Sequence, residues 1–421
     1  MDPLEQSRVF LDCFKTNVNP ADPLPVRVPI YNLKYDEIEA AIIDWSRTYL
    51  DQFGCPQCIL TPIIRNVVED VLSYCKENPK SCGFTGHDYK TLQLNQEVIS
   101  RVNHICTELL DNEKLNNLLA QVCDERGLGE DHPDSAVVPV VPGNKIHFSR
   151  GMKHRRRRME DRHVCLPDFN KLFCTKDSEP TAFYGVYDGH GGQEAASFAA
   201  SHLHYYIAQS EHYPQDMEQA FRDAFQKTDE LFLEKCKNHY LDSGCTAVAC
   251  VHHLASKRID LAWVGDSQAM LVKRTGGEHV YKQLVHPTHV GSNLASLGEW
   301  MDSSARSYNS ISLIQDEQER IRAEGGIVIP WGGQFRVNGQ LAITRAIGYT
   351  SRDYVAIHTS VIILGNRNYK PFVSSNPAVS LNRCTEDDLL LILASDGLWE
   401  GYSEYMISMF VLYAIRKFPG K

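Results

Sequence analysis

The hydrophobic pattern changes its period part-way along this chain, and that change constrains the fold more than any other feature of the sequence. Residues 35–124 carry apolar side chains at helical spacing, whereas residues 127–144 mix glycine and proline with polar turn formers. Short β-branched or aromatic runs, typical of buried strands, follow at 181–187, 246–252, 259–265 and 389–394. A chain of 421 residues also exceeds the usual size of one hydrophobic core. The sequence therefore predicts an all-helical domain at 1–126, a linker at 127–144 and a strand-containing domain at 145–421.

Amphipathic helices interleave with those strands in the second domain. One apolar stripe runs from Met217 to Phe232, and a second helical pattern covers residues 316–324. Asp316 followed by Glu319 is a capping signature, and Gly325-Gly326 closes the pattern. We therefore expect a helix that begins at Asp316 and ends at the two glycines.

Charge and cysteine usage exclude several classes of protein. A formal net charge of -10 argues against nonspecific nucleic-acid binding, because that affinity comes from neutralising phosphates. Neither a signal peptide nor an apolar run long enough to span a bilayer is recognisable, so we expect no membrane partner. Thirteen cysteines without regular spacing point to reduced thiols. These features predict a cytoplasmic protein, with the nucleus as an alternative.

The turn from Tyr187 to Gly192 carries the clearest chemical signal. Asp188 ends an apolar strand and is followed by Gly189, His190 and two further glycines, so a carboxylate and an imidazole share a tight, exposed turn. Carboxylates and backbone carbonyls are the ligands that Mg²⁺ and Mn²⁺ prefer. Read alone, the segment is also compatible with a simple glycine-rich turn after a strand.

Other short motifs in the chain favour a metal site over a simple turn at this position. They are Arg155 to Asp161, Ser243 to Thr246, Gly265 to Ser267, Leu341 to Gly348 and Ala394 to Gly397. In content and order they closely resemble the motifs of the type-2C metal-dependent serine/threonine protein phosphatases, the PPM family. The arginine-rich sequence before Met159 is most similar to that of the partner-of-PIX, or calmodulin-kinase phosphatase, branch and of the nematode feminization phosphatase. The resemblance covers residues 145–399.

The resemblance implies an α+β fold, a four-layer α-β-β-α sandwich with metals at one end, preceded by the all-helical domain. It implies hydrolysis of phosphoserine and phosphothreonine by attack of a metal-bridging water, with two or three Mg²⁺ or Mn²⁺ ions. Phosphoproteins are the implied substrates, kinases among them by analogy with the branch. The N-terminal helices are expected to bind a protein partner that the sequence does not identify.

The resemblance also implies roles for single residues. Asp188 bridges two metals, the Gly189 carbonyl binds one of them, Asp396 binds the other, and Glu160 lies near the metals through water. Two further residues act on the substrate, since Arg156 clamps the phosphate and His190 protonates the leaving serine or threonine oxygen.

A third metal would be held by Asp266 and Glu400. Most relatives have aspartate at the Glu400 position, and the longer side chain puts that third site in question. Ser243 and Thr246 are interpreted as structural residues of a turn that feeds a strand.

The chain departs from the family pattern in three places. Residues 290–315 read as an insertion, and Tyr349 replaces a family aspartate at the start of a second foreign segment, 349–369. After Glu400 the family's last helix, closing strands and Asp-Asn motif do not follow, so one metal site is expected to be incomplete. Our hypothesis is that these segments are translated intron sequence, which sequencing of the transcript would decide.

Alternative interpretations stay open at this point. The chain could be a catalytically impaired scaffold, or pseudophosphatase, that binds partners through its N-terminal helices. The run Arg155 to Arg158 could be a localisation signal or a solvated basic strip. Cys55 and Cys58 have zinc-like spacing without a second ligand pair. We interpret the arginines as part of the phosphate site and expect no nucleic-acid partner.

Overall fold

The computed structural model describes residues 2–19, 24–124, 147–153, 155–177, 179–288, 306–331, 334–349 and 369–417. Two compact units result, one of Met1–Phe148 with Lys171–Cys174 and one of Ser149–Asn170 with Thr175–Lys421. The predicted linker at 127–144 lies outside the described residues.

The first unit is helical in its described part, as the periodicity predicts. Its helices are α1 (Pro3–Asn17), a 3-10 turn (Tyr35–Glu37), α2 (Ile38–Gln52), α3 (Gln57–Glu77), α4 (Thr91–Glu108) and α5 (Asn112–Asp124). The apolar stripe of α2 forms part of the core, where Ile38, Ile42, Trp45 and Tyr49 are buried. Helix α1 lies outside the predicted periodic region. Its buried side chains include Phe10, Leu11 and Phe14, which are too few to stand out as a pattern.

The remaining elements follow in chain order. They are β1 (Arg162–Leu166), α6 (Phe169–Leu172), β2 (Thr181–His190), α7 (Glu194–Gln209), α8 (Met217–His239), β3 (Gly244–His253), β4 (Arg258–Val264), β5 (Gln268–Thr275), β6 (Glu278–Gln283), α9 (Arg306–Ala323), β7 (Val328–Trp331), β8 (Gln334–Val337), β9 (Ile347–Gly348), β10 (Ala378–Arg383), β11 (Asp388–Ala394), α10 (Asp396–Trp399) and α11 (Glu404–Lys417). All four predicted strands are present, as β2, β3, β4 and β11.

Two antiparallel sheets organise the second unit. The larger sheet has the order β1-β2-β3-β4-β10, with β9 also paired to β3, and the smaller one has the order β11-β5-β6. Strands β7 and β8 form a separate pair. Because β10 pairs with β4 and β11 with β5, the late part of the chain contributes a strand to each sheet.

The two sheets face each other across one apolar core. Val248 and Leu261 of the larger sheet pack with Ala269 and Leu271 of the smaller sheet. Helix α7 covers β2 and β3, α8 packs on α7 and contacts β9 and β4, and α11 packs on the smaller sheet through Ile407. This helix-sheet-sheet-helix order confirms the four-layer α-β-β-α prediction.

Helix α9 differs from the prediction at its start. It begins at Arg306, ten residues before Asp316, so Asp316 lies inside the helix and the expectation that it caps the helix is wrong. The predicted end is confirmed, since Gly325 adopts φ +88° and the amide of Gly326 donates to the Ile321 carbonyl. Within the described ranges, no helix has both the length and the apolarity that crossing a bilayer requires.

Candidate metal centre

The end of β2 presents the first two side chains of the centre. In register with β3, Asp188 lies opposite Thr246 and His190 opposite Gly244. Gly191 and Gly192 then adopt φ of +73° and +141°, which turns the chain into α7. The strand therefore ends with Asp188 buried and His190 half-buried at one end of the sandwich.

The third side chain comes from the other sheet. Asp396 is the first residue of α10, directly after β11 and Ser395. One ligand atom from each of Asp188, His190 and Asp396 lies within 4.8 Å of the others. The His190 ring nitrogen Nδ1 lies 3.5 Å from Asp188 Oδ1 and 3.3 Å from the Asp188 carbonyl oxygen. Each sheet thus contributes a carboxylate to one cluster, at the place where the resemblance puts the metals.

Burial, and after it the mutual repulsion among carboxylates, dominates the electrostatics of this cluster. Burial raises the pKa of Asp188 to about 9, and the nearby Asp161, Asp396 and Asp266 add to the shift. Burial and Asp396 likewise raise the pKa of Asp266 to about 6, with His190 opposing the change. A cation among these groups would relieve the repulsion and lower both pKa values.

The donor set fits a hard divalent cation. Asp266 Oδ1 is buried and has no hydrogen-bond partner among the described residues, which leaves an oxygen available for a ligand. The cluster offers carboxylate oxygens from two sheets, and carboxylates are ligands of magnesium, manganese and calcium. Among the described residues this is the single group of three metal-ligating side chains within bonding reach of one ion, and Cys55 and Cys58 belong to no such group.

The acidic pair before β1 reaches the cluster through its second member. Asp161 accepts a hydrogen bond of 2.9 Å from the Ser395 hydroxyl and contributes to the raised pKa of Asp188. Glu160, the residue that was predicted, contacts the turn through its backbone. Its carbonyl oxygen lies 2.7 Å from the position that a Cβ on Gly189 would occupy. Sequence reasoning did not select Asp161. The available signal was its position next to the strand, since neighbouring side chains of an extended chain point in opposite directions.

Asp266 and Glu400, the two residues expected to hold a third metal, both lie near the cluster. Gly265, with φ +88°, turns the chain after β4 so that Asp266 follows it. Glu400 is near enough to raise the pKa of Asp266, although it contributes less than burial and Asp396. Its backbone amide donates to the Asp396 carbonyl, which fixes Glu400 directly after α10.

The residues interpreted as structural make contacts within the fold. The Thr246 and Ser267 hydroxyls lie 2.7 Å apart and are buried, so β3 is joined to the turn that carries Asp266. The Ser243 hydroxyl accepts a bond of 3.1 Å from the Ala195 amide, which joins β3 to the start of α7.

Two further predicted positions are described. Tyr349, in place of a family aspartate, is buried with φ +60°, and its ring occupies the space beside Gly244 where a Cβ would stand. Arg156 is exposed, in a turn where its amide donates to the Lys153 carbonyl. The structure therefore places Arg156 at the surface, and its role at the phosphate stays a prediction.

Comparison with known proteins agrees with this geometry. A family model described as "Protein phosphatase 2C" matches residues 147–294 and 313–417, more than half of the chain. Residues 295–312 are unmatched and fall within the segment 290–315 that departs from the family pattern. The origin of residues 290–315, including the hypothesis that they are translated intron sequence, stays a prediction.

Individual relatives extend the likeness beyond the matched domain. Protein phosphatase 1E of Mus musculus is 31% identical over 390 residues, which is 90% of this chain and 42% of the relative. Protein phosphatase 1F of Homo sapiens is 29% identical over 94% of this chain and 77% of the relative. This chain thus spans less than half the length of the first relative. Both relatives support the branch that the arginine-rich motif indicates.

A solved structure of a C. elegans sex-determining protein shares the fold. The two superpose with a TM-score of 0.63 at 19% identity, covering 99% of this chain and 86% of that one. At this identity the likeness concerns the fold, and it includes the helices before the sandwich.

Proposed function

Because the chain belongs to the protein phosphatase 2C family, a metal-dependent family, we propose that it hydrolyses phosphoserine and phosphothreonine in proteins. The observation that carries this proposal is the meeting of Asp188, His190 and Asp396 at one end of the sandwich. The donor set favours Mg²⁺ or Mn²⁺, held by Asp188, the Gly189 carbonyl and Asp396, with Glu160 and Asp161 at its edge. Asp266 and Glu400 are proposed ligands of a third ion.

When bound, the cations supply Lewis-acid activation of the phosphoester and of the attacking water. Arg156 is proposed to hold two phosphate oxygens, since a planar guanidinium donates two parallel hydrogen bonds to such a group. This grip would orient the phosphate against the carboxylate cluster.

His190 is proposed to protonate the leaving oxygen. Its Nδ1 lies 3.3 Å from the Asp188 carbonyl oxygen, which can only accept a hydrogen bond. This contact keeps a proton on Nδ1, so in the imidazolium form Nε2 carries the second proton and gives it to the serine or threonine oxygen as the ester bond breaks. His190 is half-buried and therefore open to a substrate.

The direct test is turnover of a phosphothreonine peptide by the purified chain with Mn²⁺, Mg²⁺ or a chelator. We expect metal-dependent release of phosphate and a loss of about 100-fold or more in Asp188→Asn, because one direct ligand and its charge are removed. Asp223→Asn, on the surface of α8, is the matched control and should keep wild-type turnover. If the wild-type chain binds Mn²⁺ but its turnover is no higher than that of Asp188→Asn, the chain is a scaffold and not a phosphatase.

Phosphoproteins, kinases among them, are the proposed substrates, and the cytoplasm is the proposed location. Phosphoproteomics of cells that express wild-type chain or Asp188→Asn would test the first point. Imaging of a tagged full chain would test the second, and an exclusively nuclear signal would contradict it.

A further inference from the structure

Arg156 belongs to a run of four arginines, of which phosphate binding uses one. Residues 150–158 carry six lysines and arginines and no acidic side chain, in a chain whose formal net charge is -10. Positive charge is therefore concentrated in one short segment of an acidic protein. Such concentration produces a local potential that attracts anions.

The arginines of this run are not used to hold the fold together. Arg155, Arg157 and Arg158 are exposed, and no ion pair of theirs is found within the part of the chain that the structure describes. Arg162, four residues further on, behaves differently. It donates to the carbonyls of Met159 and Asp161 and to the Gln193 side chain. The exposed guanidiniums thus remain available to a binding partner.

The run ends at the rim of the metal centre. Glu160 packs its carbonyl on Gly189, and Asp161 accepts the Ser395 hydroxyl, so the segment that follows the run is fixed against the cluster. Successive Cα atoms are about 3.8 Å apart, so the Cα of Arg158 lies within about 8 Å of that of Glu160. Arg158 and Arg157 therefore flank the place where the phosphate is expected.

Geometry limits which part of a substrate these side chains can meet. An extended peptide advances about 3.3 Å per residue, so flanking arginines face substrate residues within about three positions of the phosphorylated one. The centre itself is built from acidic side chains, namely Asp188, Asp396, Asp161 and Asp266. The basic run supplies the opposite charge beside it, with guanidinium forks that match carboxylates.

We propose that Arg155, Arg157 and Arg158 form a docking strip that selects phosphopeptides with aspartate or glutamate within about three residues of the phosphorylated serine or threonine. The strip rests on the proposed phosphatase activity, because it acts on the substrate of that same site. Its role is to raise the affinity for acidic substrates, while Arg156 holds the phosphate itself.

The test compares phosphothreonine peptides that carry either acidic or neutral residues at the three positions on each side. The wild-type full chain with Mn²⁺ should show a kcat/KM at least about tenfold higher for acidic peptides, since an exposed ion pair contributes roughly threefold and two or more would form. Arg157→Gln with Arg158→Gln should bring the ratio of acidic to neutral kcat/KM close to one. This ratio cancels any loss of active enzyme. The lysine versions of both substitutions keep the charge but lose the guanidinium fork, so they should retain part of the preference.

Arg274→Gln with Lys282→Gln is the charge-matched control. Both residues are exposed in the smaller sheet, and Arg274 lies about 20 Å along β5 from the end that faces the centre. The control should keep the preference, because a general effect of net charge would change it equally in both double variants.

Each result has one meaning. Metal-dependent turnover with equal kcat/KM for both peptides overturns the docking strip and leaves the phosphatase function intact. Absence of turnover with every peptide overturns the proposed function itself. Loss of duplex DNA binding in the arginine variant, with an unchanged peptide preference, would assign the run to nucleic acid and also overturn the strip.

Discussion

At Asp188, stability and function make opposite demands on one side chain. Burial and three neighbouring carboxylates raise its pKa to about 9, so its ionised form is unfavourable in the metal-free fold. A carboxyl group with a raised folded pKa costs stability as pH rises from its unfolded value near 4 towards 9. The same repulsion gives the centre its attraction for a divalent cation.

We therefore predict that Asp188→Asn is inactive and yet more stable than the wild type without metal. With a chelator at pH 8, its melting temperature should exceed that of the wild type by roughly 2–5 °C, since about 1 kcal/mol shifts a domain of this size by a few degrees. The difference should shrink at pH 5, because this pH is close to the unfolded pKa near 4 and little free energy is then needed to keep the group protonated in the fold. Thermal unfolding at both pH values checks this, and a variant that melts below the wild type at pH 8 would contradict it.

Gly189 is the second residue on which the centre depends. A Cβ at this position would stand 2.7 Å from the Glu160 carbonyl and 3.0 Å from the Gly192 carbonyl, and both contacts are backbone. We predict that Gly189→Ala displaces the acidic pair and weakens Mn²⁺ activation about tenfold or more. The measurement is the Mn²⁺ concentration at half-maximal activity.

Gly397→Ala is the control for this substitution, because no atom lies within 4 Å of the added methyl group although Asp396 is its neighbour. Equal Mn²⁺ dependence of the two alanine variants would show that crowding at Gly189 has no role.

At the scale of elements, Glu317 joins α9 to the loops beside the centre. Its carboxylate accepts hydrogen bonds of 2.6 Å from Arg345 and 3.1 Å from Arg320, and Arg320 also donates to the carbonyls of Thr344 and Phe372. Burial alone would raise the pKa of Glu317, but these hydrogen bonds outweigh it and lower the pKa to about 2. Local helix rules reveal the i,i+3 pair with Arg320 but not the contact with Arg345, which lies in a later loop.

We predict that Glu317→Gln lowers the free energy of unfolding by about 3 kcal/mol at pH 7, since two half-buried arginines lose their buried counter-ion. A depressed carboxyl pKa stabilises the fold above the unfolded value near 4, and this contribution disappears as pH falls from about 4 through about 2. Urea unfolding at pH 7 and at pH 3 would measure both effects. Glu319→Gln, exposed on the same helix, should change stability by less than about 0.5 kcal/mol.

The sequence predicts elements best where burial is continuous. Strands β2 and β3 are recognisable because nearly every side chain is buried and apolar or small. Strand β6 alternates exposed and half-buried residues, and β10 contains Ser380, Asn382 and Arg383, so neither resembles a core strand. Edge and near-edge strands depend on pairing with distant partners, which local periodicity does not report.

At the scale of the whole molecule, two units with separate cores should unfold separately. The metal centre belongs to the second unit alone, since Asp188, His190 and Asp396 all lie there. We predict two thermal transitions, of which Mn²⁺ raises only one. At a concentration 100 times the dissociation constant the gain is about 2.7 kcal/mol, which corresponds to roughly 5–10 °C.

Differential scanning calorimetry with and without Mn²⁺ checks this prediction. Asp188→Asn should retain both transitions and lose the metal-dependent shift. A shift of both transitions by Mn²⁺ in the wild type would mean that the two units unfold as one.

Much of the candidate site follows from the order of short motifs, and the remainder depends on how the sheets meet. Asp188 and Asp396 are recognisable from the motifs around them. The choice between Glu160 and Asp161 is not, because it depends on which side chain the start of β1 directs towards the turn at Gly189. The Ser395 hydroxyl that holds Asp161 comes from the other sheet, more than two hundred residues later. Contacts at that separation have no local signature.

Asp188 and Asp396 meet in one centre although about two hundred residues separate them in the chain. Ribosomes add about 5–20 residues per second, so roughly 10–40 s pass between the synthesis of the two aspartates. During that interval the strands that end at Asp188 already exist, while β10, β11 and the second carboxylate do not. A centre that needs both carboxylates therefore cannot form before Asp396 has been synthesised, so β1 to β9 must find their partners without help from a cation bound there.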